Sequence, residues 1–145
     1  MELSSKLEYA LLALLEIANL HNNGEPLQIQ QIADARNIPK RYLEQVLATL
    51  RRGGLIKSTR GVKGGYVLAR EPHQINVLDV LECIEGLEAT LPSANINPET
   101  VGGKVIQEVW QDGCKALYKA LQERSLQDLC DLEKKHSHMA LMYYI

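Results

Sequence analysis

The stretch that decides the fold is Ile38 to Arg70, IPKRYLEQVLATLRRGGLIKSTRGVKGGYVLAR. Its first half has one apolar face at helical spacing, and Gly53-Gly54 ends that helix; the face is formed by Leu43, Val46, Leu47 and Leu50. Pro39 suits the first helical position because its missing N–H costs nothing there. Residues 55–59 and 66–69 favour strands on either side of a glycine-rich loop at 61–65. The stretch therefore predicts a helix followed by a β-hairpin.

The position of the loop indicates what kind of phosphate it can bind. Loops that hold nucleotide phosphates lead from a strand into a helix, whereas this loop joins two strands. Lys57-Ser58 is similar to the end of a P-loop, but Ile56 stands where that motif needs glycine. The hairpin tip therefore favours contact with a nucleic-acid backbone over an enzyme pocket.

Two further helices are predicted before this stretch. Ser5-x-x-Glu8 has the form of a capping box, and the helix it begins ends at Asn22-Asn23-Gly24. A short helix is predicted from about Gln28 to Arg36, followed by a tight turn. A short helix, a turn, a basic helix and a β-hairpin are the arrangement of a winged helix-turn-helix.

The C-terminal half predicts a long helix that needs a partner. A helix capped by Asn76 is expected to end near Gly86, and a long helix is expected to begin at Asn97-Pro98 and continue to about Arg124. Its apolar stripe has little of its own chain to bury against, which predicts pairing with a second copy. The stripe is formed by Val105, Ile106, Val109, Trp110, Leu117 and Leu121.

The predicted organisation has four parts. Residues 1–86 form the winged helix-turn-helix, 87–97 a connector, 98–124 the dimerisation helix, and 125–145 a short helix with a tail that has no turn signal. Hydrophobic residues make up 46% of the 145 residues and Phe is absent, so we expect an aliphatic core. The fold class is therefore mainly α with a small two-stranded β wing.

The net charge of −2 hides a strong polarity along the chain. Residues 36–70 contain one acid, Glu44, and nine bases, which gives +8 and leaves −10 for the remainder. The bases are Arg36, Lys40, Arg41, Arg51, Arg52, Lys57, Arg60, Lys63 and Arg70. A basic module on an acidic body predicts nucleic acid as the partner.

Other classes of protein are disfavoured. The three cysteines are widely spaced and odd in number, which indicates thiols of a reducing cytosol and a cytoplasmic location. The first apolar run is interrupted by Glu8 and Glu16, so no membrane span is expected. The sequence contains no paired carboxylates, activated nucleophile or metal motif that would indicate an enzyme.

Three segments together resemble the Rrf2 family of bacterial winged-helix transcription regulators. They are LSSKLEYALLALLEIA at residues 3–18, IPKRYLEQVLATLRRGGLIKSTRG at 38–61 and GGYVLAR at 64–70. With the long helix and the SLQDL turn, the resemblance spans about residues 1–132. It implies a homodimer on a palindromic DNA operator.

The resemblance also implies roles for individual residues. The recognition helix would face the major groove with Lys40, Arg41, Tyr42, Glu44 and Gln45. At the wing, Arg60 would enter the minor groove, with Lys63 and the backbone N–H groups of Gly64 and Gly65 on phosphates. Among these, Glu44 is interpreted as an acceptor for a cytosine amino group, with an i, i+4 pair to Lys40 as the alternative.

The chain departs from cluster-binding members of the family, which carry three closely spaced cysteines between the wing and the long helix. No cofactor is predicted here, and an iron–sulfur cluster would need unusual ligands such as Cys83, Cys114 and Glu8. Redox chemistry at Cys83 or Cys114, metal binding by His136 and His138, a small effector and a partner protein stay open as signals. A winged-helix module that binds protein is the alternative function.

Overall fold

The computed structural model describes residues 2–86 and 99–143 as six helices and one antiparallel β-hairpin. The helices are α1 (Ser5–Asn19), α2 (Ile29–Arg36), α3 (Lys40–Arg52), α4 (Val77–Glu85), α5 (Val101–Gln122) and α6 (Leu126–Tyr143), and the strands are β1 (Ile56–Thr59) and β2 (Gly65–Leu68). Short 3₁₀ turns occupy His21–Asn23 and Pro72–Gln74. The predicted fold class, mainly helical with a two-stranded wing, is confirmed.

The helix starts differ from the prediction by one residue in two places. The cap of α1 is Ser4, whose Oγ accepts from the Leu7 N–H at 3.1 Å, so the predicted box at Ser5 is wrong. Pro39 is the N-cap residue of α3 and not its first helical residue. The cap of α4 is as predicted, because Asn76 and Asp79 bond reciprocally at 2.8 and 3.0 Å.

The core lies where α1, α2, α3 and α4 meet. All four apolar residues predicted on the inner face of α3 are buried. Strands β1 and β2 pair in a register that places Ile56 opposite Leu68, and both side chains are buried in the same core. The wing is therefore fixed to the helical body at the end of the hairpin opposite its tip.

The long helix begins later than predicted. Helix α5 starts at Val101 because the Thr100 Oγ1 accepts from the Gly103 N–H at 2.9 Å. The expected cap at Asn97-Pro98 and the predicted connector at 87–97 lie outside the described residues.

The final helix is longer than predicted. Ser125 and Asp128 form the expected cap, at 2.9 and 3.1 Å, but α6 continues to Tyr143 through the segment predicted to be a tail. No Gly or Pro interrupts residues 126–143, so no residue ends the helix earlier.

Backbone hydrogen bonds connect the start of α6 to the winged helix-turn-helix. The Leu126 N–H donates to the Ile75 carbonyl at 2.7 Å, and the Val77 N–H donates to the Arg124 carbonyl at 2.9 Å. Leu126 and Cys130 are buried in the common core. None of the helices in the described part of the chain is long and apolar enough to cross a membrane.

Candidate nucleic-acid interface

Helix α3 presents the predicted recognition residues on its outer face. Lys40, Arg41, Glu44 and Gln45 are exposed, and Tyr42 is 53% exposed. The opposite face of the same helix is buried in the core, which holds the outer face rigidly. The structure thus brings all five predicted α3 residues onto one accessible surface.

Glu44 has both carboxylate oxygens available. The Glu44 side chain makes no hydrogen bond or ion pair with any of residues 2–86 and 99–143, so the alternative pair with Lys40 does not form. An unpaired carboxylate in a basic field is able to accept hydrogen bonds from an incoming donor.

The wing lies beside the end of α3. Arg51 Nη1 donates to Ser58 Oγ at 3.4 Å, which joins the helix to β1. Arg60 and Lys63 are exposed at the hairpin tip, and Gln28 Nε2 reaches the Val62 carbonyl at 3.5 Å. The two predicted cationic residues of the wing are therefore accessible at the hairpin tip.

The loop's own packing accounts for two of its glycines. Gly64 is buried, its N–H donates to the Gly61 carbonyl at 2.9 Å, and a Cβ there would lie 2.4 Å from the Thr59 oxygen. This N–H, predicted to meet phosphate, is already used within the loop. At Gly65, a Cβ would lie 2.4 Å from the Leu27 oxygen, because Leu27 pairs with Tyr66 beside β2. This third backbone segment beside the hairpin was not predicted from the sequence.

One base of the positive segment is not part of the exposed surface. Arg36 pairs with Glu16 at 2.8 Å and with both oxygens of Glu133 at 2.5 and 3.0 Å, which joins α1, α2 and α6. The hydrogen bonds to Glu133 raise the pKa of Arg36, and the same contact lowers the pKa of Glu133. The other eight bases are exposed, so the exposed positive charge of this segment lies on α3 and the wing.

The predicted dimerisation stripe divides into two halves. Val105, Ile106, Val109 and Trp110 are exposed by 54 to 68% on the first half of α5. In the second half, Leu117 and Leu121 line an apolar cleft of about 450 Å³ against residues of α1 and α4. The first half is thus the part of the stripe that presents a large apolar surface to solvent.

The two predicted redox thiols lie apart on different helices. Cys83 Sγ contacts the Thr49 carbonyl at 3.5 Å, and burial raises the pKa of this thiol against the opposing charges of Arg52 and Lys6. Cys114 is half-buried on α5. A raised pKa reduces the fraction of reactive thiolate, so the surroundings of Cys83 do not activate it.

The comparison with known families agrees with this geometry. The profile of the Rrf2 family, described as an iron-dependent transcriptional regulator, matches residues 3–132. The chain belongs to the Rrf2 family. The predicted family and the predicted class of function, transcriptional regulation by a DNA-binding protein, are confirmed.

Similar Rrf2 proteins share both sequence and fold with this chain. The regulator CymR of Bacillus subtilis is 33% identical over 145 residues, the whole of both chains. The solved structure of CymR, the global cysteine regulator of B. subtilis, has a TM-score of 0.79 at 32% identity, and the match covers 91% of this chain and 98% of CymR. The structure of IscR from T. potens has a TM-score of 0.76 at 31% identity, covering 94% and 90%. Such relatives are transcriptional regulators, which points to a role other than catalysis.

Within one protomer, the described residues do not bring together ligands for an iron cluster of the kind the family description implies. Cys83, Cys114 and Cys130 lie on three different helices, and Cys130 is buried in the core. In the ranges 2–86 and 99–143, no three His, Cys, Asp or Glu side chains converge as metal ligands, His136 and His138 included. The remaining internal segment, 87–98, contains neither cysteine nor histidine.

Proposed function

We propose that this protein is a homodimeric regulator that binds a palindromic DNA operator with α3 in the major groove and the wing in the adjacent minor groove. The observation that carries the proposal is the common exposed surface of α3 and the hairpin tip. Six exposed bases lie on these two elements, together with a single acid, Glu44. The protein acts through binding and not as an enzyme.

Within this surface, we assign different tasks to different side chains. Lys40, Arg41 and Lys63 position the protein on phosphates, contacts that carry affinity but no sequence information. Glu44 reads a cytosine amino group and Gln45 reads adenine, because these side chains match the donor and acceptor pattern of those bases. Arg60 enters the minor groove, where a cation is attracted by the negative potential.

The exposed half of the α5 stripe supports the dimer. An isologous pair of α5 helices would bury Val105, Ile106, Val109 and Trp110 of both copies and relate the two α3 helices by a two-fold axis. A two-fold protein requires two half-sites of matching symmetry, which gives the palindrome. We propose a small effector or a partner protein as the regulating signal; no three potential metal ligands converge in the described ranges, and burial raises the pKa of Cys83.

Footprinting distinguishes this function from a winged-helix module that binds an acidic protein. Both would bind in a salt-dependent way, but only the regulator protects a defined DNA sequence. Binding-site selection from a random duplex pool, followed by footprinting, is expected to give one palindrome. A protein that selects no sequence would support the interaction module.

The role of Glu44 is tested by Glu44→Ala, with Glu123→Ala, at the exposed residue that follows α5, as the matched control. We expect Glu44→Ala to reduce discrimination at one base of each half-site by about 5- to 100-fold, the range of a lost base contact. Non-specific affinity should stay constant or rise, because a negative charge is removed from the surface. If Glu44→Ala weakens all DNA sites by the same factor, Glu44 does not read a base.

A further inference from the structure

A cleft lies between the start of α1 and the recognition helix. Its volume is about 440 Å³, and it is lined by Ser5, Lys6, Tyr9, Tyr42, Gln45 and Val46. Tyr42 and Gln45 belong to the proposed DNA-reading face, so the cleft is continuous with that face. The α1 residues carry no role in the proposed function.

The cleft lies on the flank of α3 that is opposite the wing. Arg51 marks the wing side through its contact with Ser58, and it follows Tyr42 by nine residues. At about 100° per residue, nine residues place Arg51 and Tyr42 on opposite flanks of the helix. A helix in the major groove has a sugar–phosphate strand on each side of it. The wing faces one strand, and the cleft is positioned for the other.

The residues in the cleft suit a sugar–phosphate backbone. Lys6 and Ser5 are exposed at its edge, and the rings of Tyr9 and Tyr42 pack with centroids 6.3 Å apart at 34°. Tyrosine rings give an apolar surface for deoxyribose, while the ammonium and hydroxyl groups suit phosphate oxygens. Glu8, the acid in the first turn of α1, is not among the lining residues.

We infer that the α1 cleft binds a backbone phosphate of the DNA strand opposite the wing, with Lys6 as the charged contact and the Tyr9 hydroxyl as a hydrogen-bond donor. This inference rests on the proposed function and extends it. The DNA interface then includes the first turns of α1, and the recognition helix is held from both flanks.

The test measures binding of a fluorescein-labelled random-sequence duplex of about 30 base pairs by fluorescence anisotropy, between about 50 and 200 mM salt. For Lys6→Ala, the slope of log K against log salt should fall by about 0.9 for each bound protomer, the value for one lost phosphate contact. Lys6→Arg should keep the wild-type slope. Tyr9→Phe keeps the ring, so it should weaken binding about two- to fivefold with the slope unchanged.

Lys135→Ala is the matched control, because Lys135 is exposed on α6 outside the cleft. An unchanged slope for Lys6→Ala, or the same loss for Lys135→Ala, would overturn the inference while leaving the proposed function intact. A wild-type protein that binds no duplex at any salt would overturn both. Urea unfolding of each variant confirms that the folded protein is compared.

Discussion

Replacing Trp110 with alanine tests the proposed dimer most directly. Trp110 is 55% exposed on the protomer, and its side chain stands on the exposed half of the α5 stripe. A tryptophan buries up to about 250 Å², so about 140 Å² is available to a partner, worth about 3.5 kcal/mol per protomer at about 25 cal/mol per Å². Two copies in an isologous interface give about 6 to 7 kcal/mol as an upper limit.

The expected effect on Kd is smaller than this limit. Alanine retains part of the surface and the interface relaxes, so about half of the free energy is expected to be lost. That corresponds to a rise in the dimer Kd of about 100-fold or more. Sedimentation equilibrium over a series of protein concentrations measures this Kd directly.

A matched pair of smaller changes provides the control. Val109 is 68% exposed on α5 and Val62 is 95% exposed at the wing tip. Val109→Ala should raise the dimer Kd by about tenfold, because each copy loses two methyl groups from the interface, whereas Val62→Ala should leave it unchanged. A dimer Kd for Trp110→Ala within about threefold of wild type, far below the change calculated from its area, would refute the assignment of this stripe.

Two further predictions concern stability. Glu133→Gln removes the partly buried pair with Arg36, so it should lower the free energy of unfolding by about 1 to 2 kcal/mol at neutral pH. Because this contact holds the pKa of Glu133 below its usual range, its stabilisation is present above the ordinary carboxyl pKa and is lost as the pH falls through the lowered value. Urea unfolding should therefore show a smaller difference between variant and wild type at acid pH; an equal difference at both pH values contradicts this assignment. Gly65→Ala should destabilise the protein by about 2 kcal/mol or more, since the added Cβ would displace the Leu27 carbonyl. The control is Gly113→Ala on α5, where a Cβ would meet open space. This variant should stabilise the protein by about 0.5 to 1 kcal/mol. Thermal unfolding checks both glycine variants, and a stable Gly65→Ala protein would show that the Leu27 segment is free to move.

The local elements were largely predictable because their signals lie within a few residues of one another. The buried face of α3 follows from apolar residues three and four apart, and the α4 cap follows from Asn76 and Asp79. The errors at helix ends have local causes as well. Ser4 and Ser5 are adjacent candidates for the same cap, and only the position of the Leu7 N–H distinguishes them.

The exposed basic surface of α3 and the wing was also predictable in outline. A basic helix followed by a glycine-rich hairpin is a pattern of neighbouring residues, and its solvent-facing positions follow from the buried ones. The stripe on α5 was visible by the same periodicity. The division of this stripe into an exposed half and a half that lines a cleft with α1 and α4 was not predictable, because that depends on the angle at which α5 leaves the core.

The sequence by itself determined the class of fold, the exposed basic face and the family, since these depend on short-range periodicity, caps and motif spacing. The tertiary structure decided which groups meet across the chain. Arg36 and Glu133 pair although they lie 97 positions apart, which removes one base from the exposed positive charge. Leu27 pairs with Tyr66, and Tyr9 packs on Tyr42, by the same kind of distant contact. These contacts arise from the packing of whole helices and strands, and no local pattern encodes the angles between those elements.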